Sequence, residues 1–356
     1  MINKIKNEYE PASISHPGET LRDLLEERGI TQAGLAERMG RPKKTINEIL
    51  QGKTGIIPKT AIQLERVFDI PAGFWLERQH RYEECVERER SKEDLRSHID
   101  WLKSVPIRSM INRGWIRLFK DKTLQLNEVL TFFGVNSPNE WQTIWLKPDA
   151  SFRQSMVFKQ NPEATSVWLR KGELEADNLA CEPYNKKTFL EILAELRNLT
   201  CYTPEHFVDK VISLCVNAGV AVTFIPRLRG VPIYGVTRWL TPTKALIQLS
   251  LRGKFEDLMW FTFFHEAGHI LLHGKREVFI EERAIVNKQE KEADVFARNF
   301  LIHPKLWNNF IDTANYSCKE VVCKFARELD ISPAIIVGRL QYERRVPFNH
   351  MNDLRR

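Results

Sequence analysis

Nothing in this 356-residue chain is apolar for long enough, and free enough of charge, to span a bilayer. The first ten residues, Met1 to Glu10, are polar and lack the apolar centre of a secretory signal. Cysteine is sparse: six residues, at 85, 181, 201, 215, 318 and 323, with no C-x-x-C pair among them. Thiols scattered in this way argue against a disulfide framework and for a reduced, cytoplasmic chain. A charge excess is also missing from the first 90 residues, which carry fifteen Lys or Arg against fifteen Asp or Glu. The whole chain has a formal charge of +7, which permits an acidic partner without identifying one. What is present is a 43% hydrophobic composition over a length suited to two or three domains.

The most informative stretch runs from Leu258 to His273, LMWFTFFHEAGHILLH. It has no Pro, no Gly before Gly268, and Asp257 as an N-cap before it, so it reads as a helix. Its nearly all-round apolarity makes that helix a buried one. His265 and His269 stand four residues apart, on one face, with Glu266 between them. Two buried imidazoles and a carboxylate are costly unless something satisfies them. Two neutral imidazoles at this spacing suit Zn²⁺, and Glu266 is placed to act as general base on a water. The competing reading is a pair of hydrogen-bonded core histidines.

A third protein ligand is needed. Lys275 occupies the position ten residues after His265, so the longer three-histidine pattern is excluded. A second helix opens at Glu290-Lys-Glu-Ala-Asp294, with an apolar stripe of Ala293, Phe296, Ala297, Phe300 and Leu301 ended by Pro304. At ~100° per residue, Glu290 lies roughly 60° from the centre of that stripe, whereas Glu292 and Asp294 lie roughly 100° away on opposite flanks. Glu290 is therefore the acid best aimed at the histidine helix, and Asp294 is placed to hold a ligand histidine by its free ring nitrogen. The alternative is that these acids merely favour a helix N-terminus. His273 is left outside the ligand set, as a helix C-terminal residue that could also line the site.

The run KALIQLSLRGKFEDLMWFTFFHEAGHILLH, followed by EKEADVFARNFLIHP, resembles the ImmA/IrrE family of zinc metallopeptidases over roughly residues 199–343. The later FARELDISPAIIVGRLQYE matches the ending usual in that family. The resemblance implies a zincin-like fold, zinc held by His265, His269 and Glu290, Glu266 as the base, and cleavage of a repressor protein; the substrate expected of this chain is a repressor or antitoxin.

Residues 16 to 80 read as a compact all-helical module. Pro17 opens a helix with Leu21, Leu24 and Leu25 inward; Thr31 caps a second with Leu35, Ala36 and Met39 inward. After the turn Gly40-Arg41-Pro42, a third helix turns Ile46, Ile49 and Leu50 inward and Lys44, Asn47, Glu48 and Gln51 outward. Short helix, glycine turn and short helix is the helix-turn-helix arrangement, whose second helix enters the major groove. Between Arg38 and Lys59 there are six basic residues and one acid, Glu48, and that is where phosphate contacts belong. The expected DNA-facing set is Gln32, Lys43, Lys44, Thr45, Asn47, Glu48 and Gln51, the competing reading being a protein-docking module with a solvated basic face. The segment from HPGETLRDLLEERGI to FWLERQHRYE is similar to HigA-type antitoxins of the XRE-like helix-turn-helix family, with the HPGE opening, IIPKTA and FWLERQ in register. Ile57 stands where a capping Thr is usual. That resemblance implies an operator-DNA partner, a homodimer, and in antitoxin members a cognate toxin.

Between these regions, Tyr82 to Arg96 alternates Glu, Arg and Lys as an exposed connecting helix does. Residues 98–198 read as short amphipathic helices with a Trp- and Phe-rich core and no chemistry. From Leu214 the texture changes: GVAVTFI, VPIYGVTR and KALIQLSL read as three strands of a small sheet. Tyr234, Arg238 and Arg252 are the candidates for stabilising an oxyanion. The expected fold class is α+β and predominantly helical. Its parts are a helix-turn-helix domain over 1–82, a charged helical linker over 83–97, a helical middle over 98–198, and a zincin-like domain over 199–356. The expected function is a DNA-binding regulator carrying a zinc endopeptidase. The alternative is a non-enzymatic antitoxin or repressor in which the zinc fold binds a partner.

Overall fold

The structure is a computed structural model that describes residues 14–146, 161–202, 204–250, 256–274, 279–280 and 288–355. The chain divides into two compact units, Met1–Ile99 and Asp100–Arg356.

The first unit is all helical: α1 (Pro17–Glu27), α2 (Gln32–Met39), α3 (Lys43–Leu50), α4 (Pro58–Phe68) and α5 (Ala72–Arg96). Its core gathers Leu21, Leu35, Ile46, Ile49, Leu64 and Trp75, all at 0–1% exposure. The HPGE opening has a local explanation. His16 Nδ1 caps α1 by accepting the Gly18 N–H at 2.9 Å, Pro17 sits where no N–H is needed, and Glu19 meets the helix dipole. Gly18 is required sterically, since a Cβ there would lie 2.1 Å from the Ile49 carbonyl oxygen at the end of α3. Thr31 caps α2 through Oγ1, whereas Ile57 caps α4 with no side-chain bond. The charged segment 83–97 is not a separate linker helix: α5 runs unbroken from Ala72, because Tyr82 to Arg96 contains no helix breaker and is laced by i,i+3 and i,i+4 pairs such as Arg88–Glu84 and Arg96–Glu93.

The second unit begins with α6 (Ile107–Asn112), α7 (Lys122–Phe133) and α8 (Pro138–Trp145); an aromatic cluster of Trp101, Phe133, Trp141 and Trp145 joins α7, α8 and the turn before α6. Two longer helices follow, α9 (Pro162–Asp177) and α10 (Lys186–Asn198), then α11 (Pro204–Cys215). The sheet holds β1 (Val220–Ile225), β2 (Gly235–Thr241), β3 (Lys244–Ser250) and β4 (Phe279–Ile280) in the order β1-β3-β2-β4. β1 and β3 are parallel, and β2 is antiparallel to both β3 and β4. The second strand starts four residues later than VPIYGVTR suggests, and the two-residue β4 was not foreseen.

The strands are buried on both faces, which is why they read as continuous apolar runs. Val220, Val222, Ala245, Ile247 and Leu249 face the main core, while Ala221 and Leu246 face Ala176 of α9 on the other side. Gln248 fixes α9 there, donating from Nε2 to the Trp168 carbonyl at 2.7 Å. The main core is closed by α12 (Glu256–Leu272), α13 (Lys288–Leu301), α14 (Pro304–Thr313), α15 (Lys319–Glu328) and α16 (Pro333–Tyr342). It also contains Phe189, Leu193 and Leu196 of α10. A domain boundary between 198 and 199 would therefore cut through one continuous core, and the observed division falls after Ile99 instead. Among the described residues no helix is long and apolar enough to cross a membrane.

Candidate functional site

In the first unit, α2 and α3 pack through Leu35, Ala36, Ile46 and Ile49, which turns the opposite side of α3 outward. Gln32, Lys43, Lys44 and Gln51 are exposed, and Thr45, Asn47 and Glu48 are half-buried. Lys44 is 85% exposed, with its ammonium 3.9 Å from Glu48, and Gln51 Nε2 donates to Asn47 Oδ1 at 3.2 Å. The turn before α3 is fixed from behind. Arg41 Nε donates to Gln63 Oε1 at 2.6 Å, and Gln63 Nε2 donates to the Met39 carbonyl at 3.0 Å. The expected set thus lies on α2, on α3 and on Gln51, which ends α3, all of it polar.

In the second unit, α12 is buried along most of its length, with His265, Glu266 and His269 at 2%, 0% and 1% exposure. It packs against α13, which brings Glu290 and Asp294 to the histidine face. His265 Nε2 and His269 Nε2 are 3.0 Å apart; Glu290 Oε2 is 3.1 Å from the first, and its Oε1 is 3.5 Å from the second. The other ring nitrogen of His265, Nδ1, lies 2.9 Å from Asp294 Oδ1. With Nδ1 turned to Asp294, Nε2 is the ring nitrogen that faces Glu290.

His273, which lies outside the ligand set expected from the sequence, has a position in this network. Its Nδ1 is 2.9 Å from His269 Nδ1, and its Nε2 is 3.2 Å from Glu292 Oε2. Each ligand-type histidine is thereby supported from behind, His265 by Asp294 and His269 by His273 with Glu292. Glu292 stays out of the central cluster, as its helix angle implies. The signal for His273 was present in the sequence as a third histidine at the same four-residue spacing.

Burial brings the His269 imidazole down to about 4, against the pull of Glu290 in the other direction. For Glu290, burial alone would raise the carboxyl, but hydrogen bonding to His265 and His269 outweighs it and holds the group at about 2. At neutral pH His269 is thus a neutral imidazole and Glu290 a carboxylate, the forms that ligate metals. Ligand atoms about 2.0–2.1 Å from one tetrahedral centre stand about 3.3 Å from each other. The three separations above straddle that figure, and the donor set of two imidazoles and one carboxylate suits zinc.

Glu266, next to His265 on α12, packs against the first residue of β2. A Cβ on Gly235 would lie 2.5 Å from Glu266 Oε1, and Thr237 Oγ1 donates to the Glu266 carbonyl at 3.0 Å. β2 therefore passes directly over the general-base candidate, and only a glycine fits at its first residue. Arg238 is not available to an oxyanion: it is buried, its Nη1 meets Glu173 at 2.5 Å, and its Nη2 donates to the Leu169 carbonyl at 2.7 Å, both on α9. Arg252 lies outside the described residues.

Residues 21–75 match the family model described as Helix-turn-helix. Over 69 residues the chain is 36% identical to Virulence-associated protein A of Dichelobacter nodosus, covering 19% of this chain and 68% of that protein. The chain belongs to the helix-turn-helix family. Virulence-associated protein I of the same organism is 38% identical over 69 residues, covering 19% of this chain and 64% of that one. Among solved structures, this helix-turn-helix chain is similar to the Pseudomonas aeruginosa antitoxin HigA with the higBA promoter, at 35% identity, 23% and 89% coverage and a TM-score of 0.22. It is also similar to PA4674 of the same organism in complex with its operator DNA, at 39% identity, 20% and 80% coverage and a TM-score of 0.20. Each of these matches covers less than a quarter of the chain, so the histidine–carboxylate cluster stands on its own geometry.

Proposed function

We propose that this helix-turn-helix protein is a homodimeric DNA-binding regulator whose second unit is a zinc-dependent endopeptidase of zincin type, acting on a repressor or antitoxin protein. The observation that carries the enzymatic half is the convergence of His265 Nε2, His269 Nε2 and the Glu290 carboxylate beside a fully buried Glu266. His265, His269 and Glu290 would hold Zn²⁺, which when bound supplies Lewis acidity toward a peptide carbonyl. Asp294 and the His273–Glu292 pair fix the two imidazoles in orientation. Glu266 takes a proton from the attacking water and delivers it to the departing amine, so one carboxylate serves as base and then acid. Among the described residues β4 pairs with Val236 and Thr237 of β2, and an extended peptide substrate would be held by backbone pairing of this kind.

The DNA-binding half rests on the exposed face of α3 and the match of residues 21–75 to the helix-turn-helix family. Lys44, Asn47 and Gln51 supply the donors and acceptors that read base edges, and the basic residues from Arg38 to Lys59 supply phosphate contacts. A non-enzymatic antitoxin or repressor, with or without a toxin partner, is the second reading. A buried Glu266 beside the cluster weighs against it, because a structural metal site needs ligands but no base.

Metal analysis of the purified chain tests the cluster. About one zinc per chain is expected, lost in His265→Ala and His269→Ala, weakened in Glu290→Ala and retained in Glu292→Ala. Retention of zinc by the double histidine variant, or its loss in Glu292→Ala with Glu290→Ala unaffected, would overturn the ligand assignment.

A further inference from the structure

Beside the histidine helix lies a cavity that the metal and DNA readings leave unused. It has a volume of about 160 Å³ and lies among α12, α13, α16 and the C-terminal segment. Leu258 and Phe261 of α12, with Leu301 and Ile335, form an apolar floor, and Tyr342 stands on its wall, 61% exposed. An apolar cavity of about 150 Å³ in another protein stays dry and takes benzene, so this volume admits a six-membered ring or a short alkyl chain.

The charged groups on the wall are unevenly satisfied. Asp257 and Arg355 neutralise each other through two contacts, 3.1 and 2.8 Å, and Arg355 Nη1 also meets Gln341. Arg339 is paired with Glu343 at 2.9 Å and stacks on Trp307. Arg298 differs. Its Nε donates to the Asp294 carbonyl at 3.3 Å and its guanidinium lies 6.0 Å from the Tyr342 ring centroid, but its two terminal nitrogens bond to no described residue and no described carboxylate pairs with it. A half-buried guanidinium with two open donors at an apolar cavity matches one planar carboxylate, bidentate, with an apolar body below it.

We propose that this cavity is a binding site for a small apolar monocarboxylate, of benzoate or hexanoate size, with its carboxylate on Arg298. The site abuts the histidine cluster: the Phe261 ring centroid is 6.3 Å from that of His265, and Arg298 is bonded to Asp294, which holds His265. The binding inference rests on the cavity and Arg298 alone and is independent of the metallopeptidase reading.

The test is titration of the full chain, by calorimetry or ligand-observed NMR, with benzoate and hexanoate and their neutral counterparts benzamide and hexanamide. Saturable binding of the acids is expected on the order of 1 mM or tighter for ligands of this size. The amides should bind at least tenfold more weakly. Arg298→Gln should remove the preference for acid over amide, and Leu258→Phe, which fills the cavity without adding charge, should abolish binding of both while the circular dichroism spectrum stays native. Absence of saturable binding, equal affinity for acid and amide in the wild-type chain, or an acid preference that survives Arg298→Gln would each overturn the proposal.

Discussion

Removing the carboxylate behind His265 should weaken metal binding without touching a ligand. Asp294 Oδ1 lies 2.9 Å from His265 Nδ1, and the Asp294 side chain is 31% exposed. A hydrogen bond to a charged group contributes ~1.5–3 kcal/mol when shielded. Partial solvent access places this one in the lower half of that range, about 1.5–2 kcal/mol. At 1.4 kcal/mol per decade, Asp294→Ala should raise the zinc dissociation constant roughly 10- to 30-fold, within the span usual for groups behind a ligand. The contact behind His269, 2.9 Å from His273 Nδ1, joins two imidazoles. A neutral bond of that kind contributes about 0.5–1.5 kcal/mol, so His273→Ala should cost roughly 2- to 10-fold. Asp294→Asn, whose amide oxygen can still accept from Nδ1, should fall between wild type and Asp294→Ala. Competition with a chelator of known affinity, at one pH, measures all three. Unchanged zinc affinity in Asp294→Ala, or a larger loss in His273→Ala than in Asp294→Ala, would refute the assignment of these supports.

Two predictions concern the first unit. Lys44→Ala and Asn47→Ala should weaken operator binding by ~1–3 kcal/mol where a base contact is lost, and Lys44→Ala should lower the salt dependence of log K by about one unit; zinc content should not change, since the two units have separate cores. The absence of any salt-sensitive binding to the chain's own promoter region would remove the DNA assignment. Burial lowers the His16 imidazole below its usual value, against the pull of Glu19 and Glu83. Because the folded N-cap stays neutral while the unfolded histidine takes up a proton near pH 6.5, this group's stabilising contribution is present above that pH and is lost as pH falls from there toward the folded value. Hydrogen exchange followed by mass spectrometry on peptides from α1 and α3 should show that loss, and His16→Asn, which caps without titrating, should reduce it. Protection that is equal in wild type and variant across this range would contradict the role given to His16.

The parts of the fold that were legible are those fixed by local chemistry. Pro17, Thr31 and the Gly40-Arg41-Pro42 turn mark helix boundaries that the structure places within a residue or two. The β1 and β3 runs are legible because burial on both faces leaves them continuously apolar. What was not legible depends on contacts distant in sequence. The allegiance of α9 and α10 to the sheet is decided by Gln248 meeting Trp168 and by Leu193 joining the main core, and neither leaves a periodic trace. β4 is two residues long, below any detectable alternation. At the candidate site, spacing put the two histidines on one face, and helix angle singled out Glu290 and Asp294. Spacing could not show that His273, one residue past the end of α12, folds back onto His269, because its partner Glu292 comes from another helix. Arg238 shows the reverse error: a basic residue on the strand over the site, committed to α9 by Glu173 and Leu169.

Glu266→Gln tests most directly whether the second unit is an enzyme. The substitution keeps the size of a side chain packed against Gly235 and leaves the three ligand-type residues intact, but the amide cannot accept a proton from water. Loss of a general base usually costs about 10²–10⁴ in rate. Wild type and Glu266→Gln would each be co-expressed with candidate repressors and antitoxins, and with the chain's own 88–96 segment in view, and the fragments read by mass spectrometry. The account predicts a specific fragment with wild type and none with Glu266→Gln, at equal zinc content and equal operator binding. Equal promoter regulation by the two proteins, with no fragment from either, would contradict it and leave a regulator whose metal-type cluster serves to bind a partner.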